Sequence, residues 1–110
     1  RSIAFYEGLL GLNVDPLRPD LGYAGRWYNL GDQQIHLMQL PIPEKVAGIQ
    51  IDRPEHCGRD RHIALQVDSI ENLAKLLEEA NISYTMSKSG RKALFCRDPD
   101  GNGLEFVELV

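Results

Sequence analysis

Leu104-Glu105-Phe106-Val107-Glu108-Leu109, near the end of the chain, repeats the polarity pattern of Ile35-His36-Leu37-Met38-Gln39-Leu40. Both stretches read apolar, polar, apolar, apolar, polar, apolar. A second match precedes each of them. Arg1-Ser2-Ile3 is followed by Leu9-Leu10, and Asp68-Ser69-Ile70 is followed by Leu76-Leu77. The two matches keep the same order and nearly the same offset, and a loop insertion absorbs the small difference. Together they indicate a duplicated unit.

The elements between these anchors fit that reading. In the second half, Ser69 is placed to cap a helix whose Ile70, Leu73, Leu76, Leu77 and Ala80 fall on one face, and Asn81 stops it. In the first half, Ser2 is expected to cap a shorter helix carrying Ile3, Phe5, Tyr6, Leu9 and Leu10, ended by Gly11. Strand-like runs follow at 12–15, 26–30 and 34–40, then at 83–87, 92–97 and 103–110. Gly31-Asp32 and Asp98-Pro99-Asp100-Gly101 read as tight turns between strands. Residues 41–61 hold three prolines, two glycines and mixed charges, which reads as a linker.

Before its helix the second half has a further strand, His62-Ile63-Ala64-Leu65-Gln66-Val67. Its Ile63, Leu65 and Val67 share one face, and His62, Ala64 and Gln66 share the other. The second unit is therefore β-α-β-β-β, while the first begins at its helix. A shorter first repeat is one explanation. A missing upstream strand is favoured, because a sheet short of one strand leaves backbone groups unpaired.

Composition bounds the function. The chain has 110 residues, 43% of them hydrophobic and 25% charged, which is ordinary for a single small domain. A net charge of −4 offers nucleic acid or an anionic membrane no basic patch. No apolar run approaches the roughly 20 residues of a membrane span. Two cysteines, Cys57 and Cys96, are too few for a disulfide scaffold and fit a reducing, cytoplasmic compartment.

Three side chains hold related places in the repeat. His36 and Glu105 occupy equivalent positions in the last strand of each half, and His62 opens the first strand of the second. Two imidazoles and a carboxylate on inward faces form the donor set that binds a divalent transition metal with positions left open. Such an ion polarises substrate oxygens or binds dioxygen. The structural alternatives are core histidines and a Glu105 paired with Arg97 or Lys92 across the sheet. Arg26, Trp27 and Tyr28 share a strand on which an indole or guanidinium would hold a planar or anionic substrate, the alternative being Trp27 as an ordinary core residue. His56 and Cys57 lie in the linker without a second pair of donors, and Asn102 is assigned to the turn.

Three segments carry a resemblance to the vicinal oxygen chelate superfamily, which includes glyoxalases, bleomycin-resistance proteins and extradiol dioxygenases. Residues 2–12, SIAFYEGLLGL, resemble its first-helix signature. Residues 61–68, RHIALQVD, resemble the opening strand of its second module. Residues 95–105, FCRDPDGNGLE, resemble its closing hairpin and are the most specific of the three. The resemblance implies an α+β fold of tandem βαβββ modules curled into an open half-barrel, a single domain over 1–110 lacking the first strand of its first module. Module one is expected over about 1–40, the linker over 41–61 and module two over 62–110.

Family ligands come from the first and last strands of each module, which maps here to a position before Arg1, then His36, His62 and Glu105. His36 departs from the carboxylate usual in glyoxalase I-like members, leaving ligand, acid–base group or substrate contact open. The expected protein is a homodimeric enzyme using Fe, Mn, Zn or Ni on a small molecule with vicinal oxygens, as a lyase, isomerase or dioxygenase. His62, Glu105 and His36 are its metal ligands, Glu105 and His36 also act in catalysis, and Trp27, Arg26 and Arg97 contact substrate. The alternative is a metal-free dimeric ligand-binding protein.

Overall fold

The computed structural model describes residues 1–41 and 53–109. The chain divides into two compact units, Arg1–Ile51 and Asp52–Val110. Most of the linker expected at 41–61 lies outside the described residues. Its end carries a 3-10 turn, Cys57–Arg59, in which Cys57 is buried.

The first unit opens with a π-helical segment, Ala4–Leu9, closed by a Leu10 N–H bond to the Phe5 carbonyl at 3.0 Å. This corrects the expected cap. Ser2 and Ile3 already lie in a helical turn whose first bond runs from the Phe5 N–H to the Arg1 carbonyl at 3.1 Å, so Ser2 stands one residue inside the helix. Gly11 ends the segment in the left-handed region, φ +69°, where a side chain would be strained. The adjacent Phe5 and Tyr6 are both buried, and Tyr6 stacks on the fully buried Tyr28 with ring centroids 5.9 Å apart. The sheet beneath is antiparallel in the order β1 (Asn13–Val14), β2 (Gly25–Leu30), β3 (Gln33–Met38). Leu30 pairs with Gln33, leaving Gly31-Asp32 as the two-residue turn the sequence indicates.

The second unit has four strands, β4 (His62–Val67), β5 (Tyr84–Met86), β6 (Ala93–Arg97) and β7 (Gly103–Glu108). They lie in the order β4-β7-β6-β5. β4 runs parallel to β7, and the other pairs are antiparallel. A parallel pair needs a crossover, and α1 (Ile70–Glu79) begins it. Ser69 Oγ caps α1 by accepting the Asn72 N–H at 3.1 Å, and Asn81, at φ +58°, terminates it. Ile70, Leu73 and Leu77 are buried, so the stripe is narrower than the sequence indicates. Leu76 is 43% exposed, because consecutive helical positions lie ~100° apart and it falls beyond the edge of the Leu73–Leu77 face. Ala80 is exposed as well, at the C-cap. Leu77 is fully buried, and truncating it to alanine costs about 2–5 kcal/mol.

Register places Leu94, Leu104 and Phe106 on the helix side of this sheet, all buried. Glu108 shares that side and accepts the first amide of α1, Ile70 N–H, at 3.1 Å. His62, Glu105 and Phe95 share the other side. The mixed α+β architecture, with open sheets and few helices, is that expected of tandem modules. The first unit repeats the helix and last three strands of the second. Among the described residues no helix is long and apolar enough to cross a membrane.

Candidate metal centre

Glu105 sits in the middle of β7, between β4 and β6, and only 7% of it is exposed. A buried carboxylate requires a cation or hydrogen-bond donors. Its Oε1 lies 3.3 Å from His62 Nε2, and its Oε2 lies 3.7 Å from Arg91 Nη1. The cation on the carboxylate is thus Arg91, which the sequence reading did not single out. Lys92 pairs with Glu108 and Arg97 with Asp60. Arg91 lies in the loop entering β6, where no periodic pattern in the sequence marks its direction.

His62 has a defined proton placement. Its Nδ1 lies 2.8 Å from the Asp60 carbonyl oxygen, which can only accept. Nδ1 therefore carries the hydrogen, and in the neutral ring Nε2 presents a lone pair toward Glu105. Two acceptors at 3.3 Å repel each other unless a positive charge lies between them. A proton satisfies that requirement, and so does a metal ion. Two ligand atoms each about 2.1 Å from one tetrahedral ion lie roughly 3.4 Å apart, so the spacing suits a shared ion. The donor types, neutral imidazole and carboxylate, also fit a divalent transition metal. The backbone bond at Nδ1 is the usual support for such a ligand.

Packing holds the pair in place. Gly103 is the cross-strand partner of His62. A Cβ there would come within 2.6 Å of the Arg61 carbonyl oxygen and 3.1 Å of the His62 Cβ. Phe95, the β6 partner of Glu105, meets the His62 ring edge-to-face at 5.3 Å and the His56 ring likewise at 4.8 Å. His56 Nδ1 bonds Thr85 Oγ1 at 2.5 Å.

In the first unit, His36 on β3 is the direct partner of Trp27 on β2, as Glu105 is of Phe95. The Trp27 and His36 rings stack with centroids 4.3 Å apart and planes 8° from parallel. Gln34 Nε2 donates to Asp15 Oδ2 and Asn29 Oδ1, both at 2.7 Å, so Gln34 Oε1 faces His36 Nε2 at 2.8 Å as an acceptor. His36 Nε2 is therefore a donor, and Nδ1 is its remaining lone pair.

Strand alternation separates Arg26 from Trp27. Arg26 lies on the helix side, where Nε donates to Glu7 Oε1 at 2.8 Å. Tyr28 OH donates to the same oxygen at 3.0 Å. Arg97 is committed to Asp60 Oδ2 at 3.0 Å, to the Gly101 carbonyl at 2.8 Å and to the Pro54 carbonyl at 2.5 Å. Among the described residues no group of three or more His, Cys, Asp or Glu side chains forms a metal cage.

The sequence profile of the Glyoxalase/Bleomycin resistance protein/Dioxygenase superfamily matches residues 1–106. The chain belongs to this superfamily. Glyoxylase I 4 of Arabidopsis thaliana is 34% identical over 110 residues, a match covering 94% of this chain and 60% of that protein. The chain thus spans well under two thirds of the curated relative. A protein from Bacillus anthracis described as of the glyoxalase family superposes with a TM-score of 0.70 at 23% identity, covering 99% of this chain and 82% of that one. Lactoylglutathione lyase of Agrobacterium tumefaciens gives 0.61 at 20% identity, covering 97% and 82%. At such identities the two structures establish the superfamily fold alone.

Proposed function

We propose that the chain is the metal-binding part of a lyase or isomerase acting on a small molecule with adjacent oxygen atoms, its two units forming one domain. The observation that carries this is His62 Nε2 facing Glu105 Oε1 at 3.3 Å, on a carboxylate otherwise largely removed from water. The similarity to Glyoxylase I 4 supports isomerase or lyase chemistry over dioxygenase chemistry.

His62 and Glu105 would hold a divalent ion, with zinc, nickel, manganese or iron all compatible with the donors. Bound there, the ion supplies Lewis-acid polarisation of the substrate oxygens. The protein supplies the rest. The Asp60 carbonyl keeps the His62 proton on Nδ1, and Phe95 packs against the ring edge-to-face. The Glu105 carboxylate takes up a substrate proton, and Arg91 offsets its charge from Oε2. His36 enters as a ligand or acid–base group on its place in the repeat alone. Trp27 supplies a flat apolar surface for substrate. The working form is a homodimer.

Titration calorimetry with zinc and nickel tests this reading. Wild type binds one ion per site, and His62→Ala and Glu105→Gln each lower the affinity at least tenfold. Unchanged binding in both variants refutes it. A metal-free ligand-binding protein is the second reading, favoured by Arg91, whose guanidinium already stands 3.7 Å from the Glu105 carboxylate as a cation. Small-anion binding that persists with no metal uptake selects it.

A further inference from the structure

We propose that Asp60 and Arg97 are positioning residues for His62, holding in place the carbonyl that decides which ring nitrogen carries the proton. The consequence for metal binding rests on the metal reading given above, whereas the hydrogen bonds themselves do not.

Asp60 closes the 3-10 turn and directly precedes the Arg61-His62 entry into β4. Its carbonyl accepts His62 Nδ1–H at 2.8 Å. Its N–H bonds the Cys57 carbonyl at 3.1 Å, and its Oδ1 accepts the Arg61 N–H at 2.8 Å. Two guanidinium groups then grip the carboxylate. Arg97 Nη1 lies 3.0 Å from Oδ2, and Arg53 Nη1 lies 3.2 Å from the same atom.

Arg97 fixes this segment to the sheet. It stands at the end of β6, and its remaining bonds run to the Gly101 carbonyl in the β6–β7 turn and to the Pro54 carbonyl. One side chain thus joins the residues before the 3-10 turn, the residue after it and the turn leading into β7, the strand that carries Glu105. Three of the five N–H donors of Arg97 are engaged in these bonds. If Asp60 shifts, the His62 Nδ1–H loses its acceptor. The ring is then free to move its proton to Nε2, where it blocks the atom that faces Glu105.

The test is nitrogen-detected NMR of the histidine rings in the full, metal-free chain, at a pH where the rings are neutral, with the His62 signals assigned by their loss in His62→Gln. Wild type shows His62 protonated on Nδ1. Asp60→Asn and Arg97→Gln bring in a measurable Nε2–H form and weaken zinc binding about tenfold to hundredfold, and Arg97→Lys recovers part of both. An Nε2–H ring in wild type overturns the assignment without any variant. So does a pure Nδ1–H ring with wild-type zinc affinity in both folded variants. If wild type binds no zinc, the metal reading falls and the tautomer signal alone decides the positioning role.

Discussion

Trp27 and His36 are cross-strand partners whose rings lie parallel at 4.3 Å, a face-to-face contact between neighbouring strands. Trp27 is the sole tryptophan, so its emission reports on this contact alone. His36→Ala uncovers one face of the indole. The expected result is a shift of emission to longer wavelength with a stability loss of about 0.5–1.5 kcal/mol. An unshifted spectrum shows that the stack does not persist in solution.

Glu7 joins the π-helical segment to β2 through Arg26 and Tyr28. Burial, reinforced by the Glu7 carboxylate, pushes the Tyr28 phenol up to about 12 from its ordinary 10.0. A native pKa above the unfolded one means that the folded state holds this proton longer. The stabilisation is therefore complete below pH 10 and fades as pH rises toward 12. Glu7→Ala leaves a buried hydroxyl without its acceptor and costs about 1–3 kcal/mol by urea denaturation. Phenolate absorbance, compared with Tyr28→Phe, locates the titration, which moves down in Glu7→Ala.

Glu108 titrates in the opposite sense. The Ile70 N–H, and then Lys92, hold its carboxyl below the usual 4.5. A depressed native pKa gives stability that is present above the unfolded value and is lost on acidification through the native one. Wild type and Glu108→Gln should differ in urea midpoint near neutrality and converge in acid. A difference that stays constant with pH rules out the carboxylate as its source.

Gly103 provides the room beneath His62. An added methyl group meets the Arg61 carbonyl oxygen at 2.6 Å, a contact that the backbone itself must relieve. Gly103→Ala should destabilise the second unit by about 1–3 kcal/mol and weaken zinc uptake, since the displaced strand carries His62. Zinc affinity equal to wild type in the folded variant shows that the donor pair tolerates the shift.

The alternation of β4, the matched patterns of β3 and β7 and the turn residues between strands made most of the strands legible. Ser69 and Asn81 bounded α1 for the same local reason. Leu76 was misread since helical spacing sets a direction and only packing sets how wide the buried stripe is. Ser2 was misread by one residue, because the Arg1 carbonyl already accepts the first helical bond and side-chain spacing does not mark that bond. Within the site, strand parity and the repeat singled out His62 and Glu105. The Arg91 partner, the Asp60 carbonyl and the commitment of Arg97 all depend on loop geometry, which carries no periodic signal.

Glu105 is mounted on a strand with neighbours on both sides, while among the described residues His62 belongs to an outer strand joined to the sheet on one side. The acid thus stands on the doubly flanked strand and the imidazole on the singly flanked one. If an ion binds there as proposed, the adjustment is expected on the His62 side. Amide exchange slowing along 62–67 and unchanged along 103–108 is the mark that such an adjustment would leave.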